Sequence, residues 1–141
     1  MELLSLQQNK RTPLLKCEEI TSIDQYKDFL ACSHGSQTVS VVNLQKPEKE
    51  AEKIFLTIEQ SLINHVKFFH NQSDNLRLMI AGNDKLVQIF DPESAQSCVQ
   101  SIAVKEFVNH FSIDEKRQLL LCGYDAKEVE LYDMKSGTMI G

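Results

Sequence analysis

Two Asn-His pairs, Asn64-His65 and Asn109-His110, are the residues of this sequence best suited to polar chemistry. An imidazole donates, accepts and changes charge near neutral pH, and the carboxamide beside it adds two donors and an acceptor. Each pair precedes an apolar residue, Val66 or Phe111, at the start of what reads as a strand. Two uses follow from this. The pairs grip a partner peptide, or they hydrogen-bond neighbouring structural units together. Recurrence favours the second use, because a side chain repeated from unit to unit is more often architectural.

Other chemistries lack their residues. The histidines (His34, His65, His70, His110) and cysteines (Cys17, Cys32, Cys98, Cys122) show no zinc-type spacing, and His65 with His110 would supply only two ligands. No Gly-x-Ser-x-Gly marks a nucleophile, and Ser33-His34-Gly35-Ser36 reads as a turn because a triad is assembled in space, not in sequence. No phosphate-binding loop or dinucleotide fingerprint is present. The carboxylates of Asp84, Asp91 and Asp133 fall in turns or at strand ends, where they hydrogen-bond the local backbone. No catalytic residue, metal ion or cofactor is expected.

The elements that must position these residues are strands. The hairpin Met79 to Asp91 sets the pattern: apolar Met79-Ile80-Ala81, then Gly82-Asn83-Asp84-Lys85 as turn, then Val87 to Phe90. Strands are also expected at Ile20–Ile23, Phe29–Cys32, Thr38–Asn43, Ile54–Ile58, Ile63–Phe68, Cys98–Ile102, Val108–Ile113, Gln118–Cys122 and Val129–Asp133. Turns are expected at 24–28, 34–37, 114–117 and 123–127, and the charge run 46–53 reads as a solvated loop. Residues 1–12 form a polar, Gln-rich lead-in.

The units repeat. Val39-Ser40-Val41-Val42-Asn43, Val87-Gln88-Ile89-Phe90-Asp91 and Val129-Glu130-Leu131-Tyr132-Asp133 superpose without gaps, at steps of 48 and 42 residues. The frame apolar-x-x-apolar recurs at Ile20–Ile23, Ile63–Val66 and Val108–Phe111, at steps of 43 and 45. Periods of about 40–45 residues with four strands per unit indicate β-propeller blades. The expected fold is all-β: three four-stranded antiparallel blades, at about 13–60, 61–104 and 105–141, forming an incomplete ring.

On these motifs the chain resembles the WD-repeat family over roughly residues 13–141. Ile63-Asn64-His65-Val66-Lys67-Phe68 matches the family's first-strand frame, Asp84 its turn Asp, and Asp91 and Asp133 the Asp of its Trp-Asp pair, with Asn43 in the first unit. The chain departs from the family as well. It has no Trp, and Val42, Phe90 and Tyr132 take that place. The Gly-His of the family is missing, its His position falls on Glu59, and Asp125 has one extra residue before Val129. The family's His–Asp–Ser/Thr–Trp network therefore cannot form. The Asn-His pairs, Leu78 to Asp84 and Glu128 to Asp133 are similar to divergent fungal WD-type substrate receptors of the GID/CTLH ubiquitin ligase.

Composition bounds the role. Hydrophobic residues make up 42% of 141, enough for a packed core. Fifteen basic against 20 acidic residues give a net charge of −5, so nucleic acid is not the expected partner. No apolar run is long enough to span a membrane, and Met1-Glu2-Leu3-Leu4-Ser5-Leu6 does not resemble a signal peptide. The scattered cysteines suit reduced thiols in a cytoplasmic or nuclear protein. The resemblance implies a non-enzymatic interaction module that recognises a protein or peptide, with substrate recruitment to a ubiquitin ligase as its closer version. The alternatives are an enzyme with a site at a channel mouth and a non-functional fragment. Arg11, Arg77 and Arg117 are too scattered to favour the enzyme. Propellers close with about four to eight blades, so three blades call for the rest of a larger propeller or for self-association of two chains into six blades.

Overall fold

A computed structural model describes residues 19–34, 38–45, 62–94, 98–125 and 127–141, and the backbone alone of 52–56. The lead-in 1–12, Cys17 and the loop 46–51 lie outside the described residues. The described chain is all-β. Its strands are β1 (Ile20–Tyr26), β2 (Phe29–His34), β3 (Thr38–Asn43), β4 (Glu52–Leu56), β5 (Ile63–His70), β6 (Leu76–Gly82), β7 (Leu86–Phe90), β8 (Cys98–Ala103), β9 (Val108–Asp114), β10 (Leu119–Tyr124), β11 (Val129–Asp133) and β12 (Thr138–Met139). They form three open antiparallel sheets in sequence order, β1 to β4, β5 to β8 and β9 to β12.

Several boundaries differ from those read in the sequence. Asp24 to Tyr26 extend β1 because each pairs with β2, which confines the turn to Lys27-Asp28. Glu52 and Lys53 belong to β4, where they oppose Val42 and Val41. His34 and Tyr124 close strands instead of opening turns, and Gln118 sits in a turn instead of a strand. The positive φ of the central hairpin falls on Lys85, not on Gly82. Gly82 is a strand residue for another reason: a Cβ there would lie 2.0 Å from the carbonyl oxygen of Leu62. That carbonyl accepts from Asn83 N–H at 3.0 Å.

The three sheets share one fine feature. Ile20 pairs with His34 and Ser22 with Ser33, so Thr21 is an extra residue. Ile63 pairs with Gly82 and His65 with Ala81, so Asn64 is extra; Val108 pairs with Tyr124 and His110 with Gly123, so Asn109 is extra. A β-bulge thus falls at the same frame position in the first strand of every sheet. It explains the apolar spacing of three. In a regular strand such residues point to opposite faces. One bulged residue restores the phase, and Ile63 with Val66, and Val108 with Phe111, are all buried.

Two apolar cores join the sheets. Ala31, Val39 and Val41 of the first sheet meet Val66, Phe68, Leu78, Ile80 and Phe90 of the second. Met79, Val87 and Ile89 on the opposite face of the second meet Phe111, Leu120, Cys122 and Tyr132 of the third. Val42, Phe90 and Tyr132, which share one frame position, are all buried.

Candidate functional site

Of the polar residues singled out by their spacing, Asn64, His65 and His110 meet at the joint between the second and third sheets, whereas Asn109, Asp84, Asp91 and Asp133 bond within their own sheets. Strands β1, β5 and β9 are sheet edges, whose outward N–H groups find no partner in their own ladder. Side chains of the preceding sheet supply acceptors. The N–H of Val66 donates to Ser22 Oγ at 3.2 Å and that of Phe68 to Asp24 Oδ2 at 2.7 Å. The N–H of Phe111 donates to His65 Nδ1 at 3.3 Å. Ser22 and His65 hold the same frame position, so the same rung occurs at both joints. Lys67 stands where Asp24 does and has no acceptor, so the second rung of the first joint is not repeated.

His65 is fixed as a neutral imidazole by this geometry. Its Nδ1 accepts, so its proton resides on Nε2. The ring lies against His110, centroids 3.9 Å apart, and stacks on Phe111 at 4.3 Å. Burial lowers its pKa to about 4, helped by the charges His110 and Lys67 would set beside it and opposed by Asp24. Asn64, aimed by the bulge, donates to Val108 carbonyl at 2.9 Å and to Asn83 Oδ1 at 2.8 Å. Asn109 bonds Asp125 within its own sheet, and His110 is exposed. Asn64 and His65 are therefore joint residues, and Asn109 with His110 occupy the same frame positions on a sheet whose far side is open.

The aspartates mark strand ends. Asn43, Asp91 and Asp133 each accept through Oδ1 from the backbone N–H two residues on, at Gln45, Glu93 and Lys135, 2.9–3.0 Å away. This is an Asx turn. Asp84 accepts likewise from Leu86 N–H at 3.3 Å.

Some of the bonded polar residues carry no mark of their own in the sequence. Ser22 and Asp24 are legible only once the frames are aligned. Glu115 accepts from both the backbone N–H and Nδ1 of His70, at 2.6 and 2.7 Å, across the second joint. Glu130 accepts from the hydroxyls of Tyr132 and Tyr124 at 2.6 and 2.8 Å. The Tyr132 hydroxyl, then that of Tyr124, holds the Glu130 carboxyl below its usual range. Burial, then the bonds to Tyr132 and Glu130, pushes the Tyr124 phenol up; burial, then the bond to Glu130, pushes Tyr132 up against the opposing effect of the Tyr124 bond. Burial raises the Cys122 thiol to about 12, which makes it an inert core group.

Among the described residues no three His, Cys, Asp or Glu side chains converge as a metal site, and no helix is long and apolar enough to cross a membrane. No protein-family model matches the chain, and no curated protein does so either.

Proposed function

We propose that the chain is a run of WD-like β-propeller blades, at about 13–60, 61–104 and 105–141, and that it works as a protein-interaction module. Its docking surface is the open face of the third sheet. Leu119, Leu121, Val129 and Leu131 line that face, and Asn109 and His110 stand at its edge. The narrower similarity to GID/CTLH receptors makes substrate recruitment to a ubiquitin ligase the specific role to test.

The supporting observation is a residue-by-residue equivalence. Val39 and Val87 are 0% exposed because the next sheet covers them, whereas Val129 at the same register is 60% exposed. Ala31 and Met79 are 0% exposed and Leu121 is 43% exposed. An apolar face used twice as an interior and presented a third time to solvent suits a protein partner. The partner that fits is itself a β-sheet, whose edge N–H would meet His110 as Phe111 meets His65.

Affinity capture with the intact chain and with a Leu121→Glu, Val129→Glu double variant tests this. Both should show the same Tm, since neither side chain is buried. A partner retained by the parent and lost by the variant is expected. Identical partners for both, or none for the parent, would overturn the reading.

A further inference from the structure

The second joint contains a cleft where the first joint is filled. In register with the first strands, where they oppose Tyr26, Phe69 and Asp114, Phe29, Arg77 and Leu119 occupy one position in the three sheets. Phe29 fills the first joint and meets Phe68 with ring centroids 6.4 Å apart. At the second joint Arg77 stands in its place, and a cavity of about 180 Å³ opens beside it. Phe69, Ile89 and Met134, all buried, form apolar lining, and Asn71, Gln100 and Gln118 contribute amides.

The lining holds no carboxylate, and its free donors are those of Arg77 and Asn71, because Gln100 spends an Nε2 hydrogen on the Met134 carbonyl at 2.7 Å and Gln118 spends both of its own. Arg77 donates Nη1 to the carbonyl of its own neighbour Leu76 at 2.9 Å, and among the described residues no carboxylate pairs with it. A guanidinium carries five N–H donors, so most remain to be satisfied. Asn71 spends its Oδ1 on the N–H groups of Ser73 and Asn75, which leaves its NH2. Gln118 is anchored, its Nε2 donating to the carbonyls of His70 and Glu115 at 3.0 and 2.6 Å.

Size and charge select the occupant. Small-molecule sites usually exceed about 300 Å³, so a cavity of about 180 Å³ suits one side chain. A planar guanidinium beside the free Asn71 NH2 matches a carboxylate, which the guanidinium can take in a two-pronged bond. The apolar lining suits the methylenes beneath that carboxylate. We propose that the Arg77 cleft receives a glutamate or aspartate side chain of a partner polypeptide. This site is separate from the open face of the third sheet and does not depend on it.

The test uses the intact chain labelled with ¹⁵N and two probes, glutamate and glutamine each capped by N-acetyl and C-amide groups. Capped glutamate should shift the Arg77 Nε–H and Gln100 amide signals saturably at millimolar concentration. Capped glutamine should bind about tenfold more weakly or worse, since charge-assisted hydrogen bonds are lost. Arg77→Leu installs the residue type of Leu119, and it should keep a dispersed spectrum and lose the response. Arg77→Gln serves the same comparison should the leucine variant fail to fold. No saturable shift in the parent, equal response to both probes, or a response that survives removal of the guanidinium would overturn the proposal.

Discussion

His65 ties the charge state of one imidazole to the joint between two sheets. Its Nδ1 accepts the Phe111 amide, so protonation there would break the bond and set a cation beside His110 and Lys67, with Asp24 the opposing charge. The unfolded chain takes up that proton near pH 6.5, whereas the folded chain holds it off until about pH 4. A depressed folded pKa gives stability that is complete above the unfolded value and is lost as pH falls towards the folded one. With a discount for its half-buried position, the loss is on the order of 1–2 kcal/mol. Urea unfolding of the parent and of His65→Asn across pH 7 to 4 measures it. The parent should lose that much more than the variant, and parallel curves would refute the assignment. The sequence marked His65 by its recurrence with His110. It did not mark Ser22, because serine and histidine share nothing except an acceptor atom and a place in the frame.

Strands and turns were legible where period and turn chemistry agreed, and less so where a distant contact decided. Thr38–Asn43 alternates, Val129–Asp133 is set off by turn residues on either side, and both form as expected. The spacing of three in the first strands contradicts a period of two, and only pairing reveals the bulge that reconciles them. Gly82 shows a limit of a different kind. A glycine signals either a left-handed turn or a close approach, and the sequence does not say which; here the Leu62 carbonyl makes it the second. Gly82→Ala should therefore cost about 1–3 kcal/mol, because backbone must move. Gly123→Ala should be tolerated, its nearest atom being the His110 oxygen at 3.6 Å. Thermal melts of the two variants should separate by several degrees, and equal melts would remove the steric argument.

The described chain is a stack of three sheets with two joints, so its middle sheet is covered on both faces. Repeat arrays behave as chains of nearest-neighbour terms, which makes equivalent substitutions unequal. Val87→Ala removes two methyl groups from a closed core and should cost about 2–3 kcal/mol. Val129→Ala, at the same register on the open face, should fall within about 0.5 kcal/mol of the parent. Chemical denaturation of both variants decides this. Comparable losses would show that the face of Val129 is covered in solution. The sequence revealed three units and their order. It could not show that the aliphatic residues Val39, Val87 and Val129, alike in type and register, meet different surroundings.

The rung between first strands has a direction: the earlier sheet offers the acceptor side chain and the later one the donor amide. A two-fold axis through the open face would bring His110 against a sheet whose Phe111 N–H is already bonded to its own His65. Continuing the pattern instead requires a heterologous neighbour, added head to tail. Assemblies of that kind have two outcomes, a closed ring or an unlimited helical fibre, and the rotation between neighbours selects between them. The angle at which the third sheet meets the second is thus the quantity that would separate a finite particle from a filament.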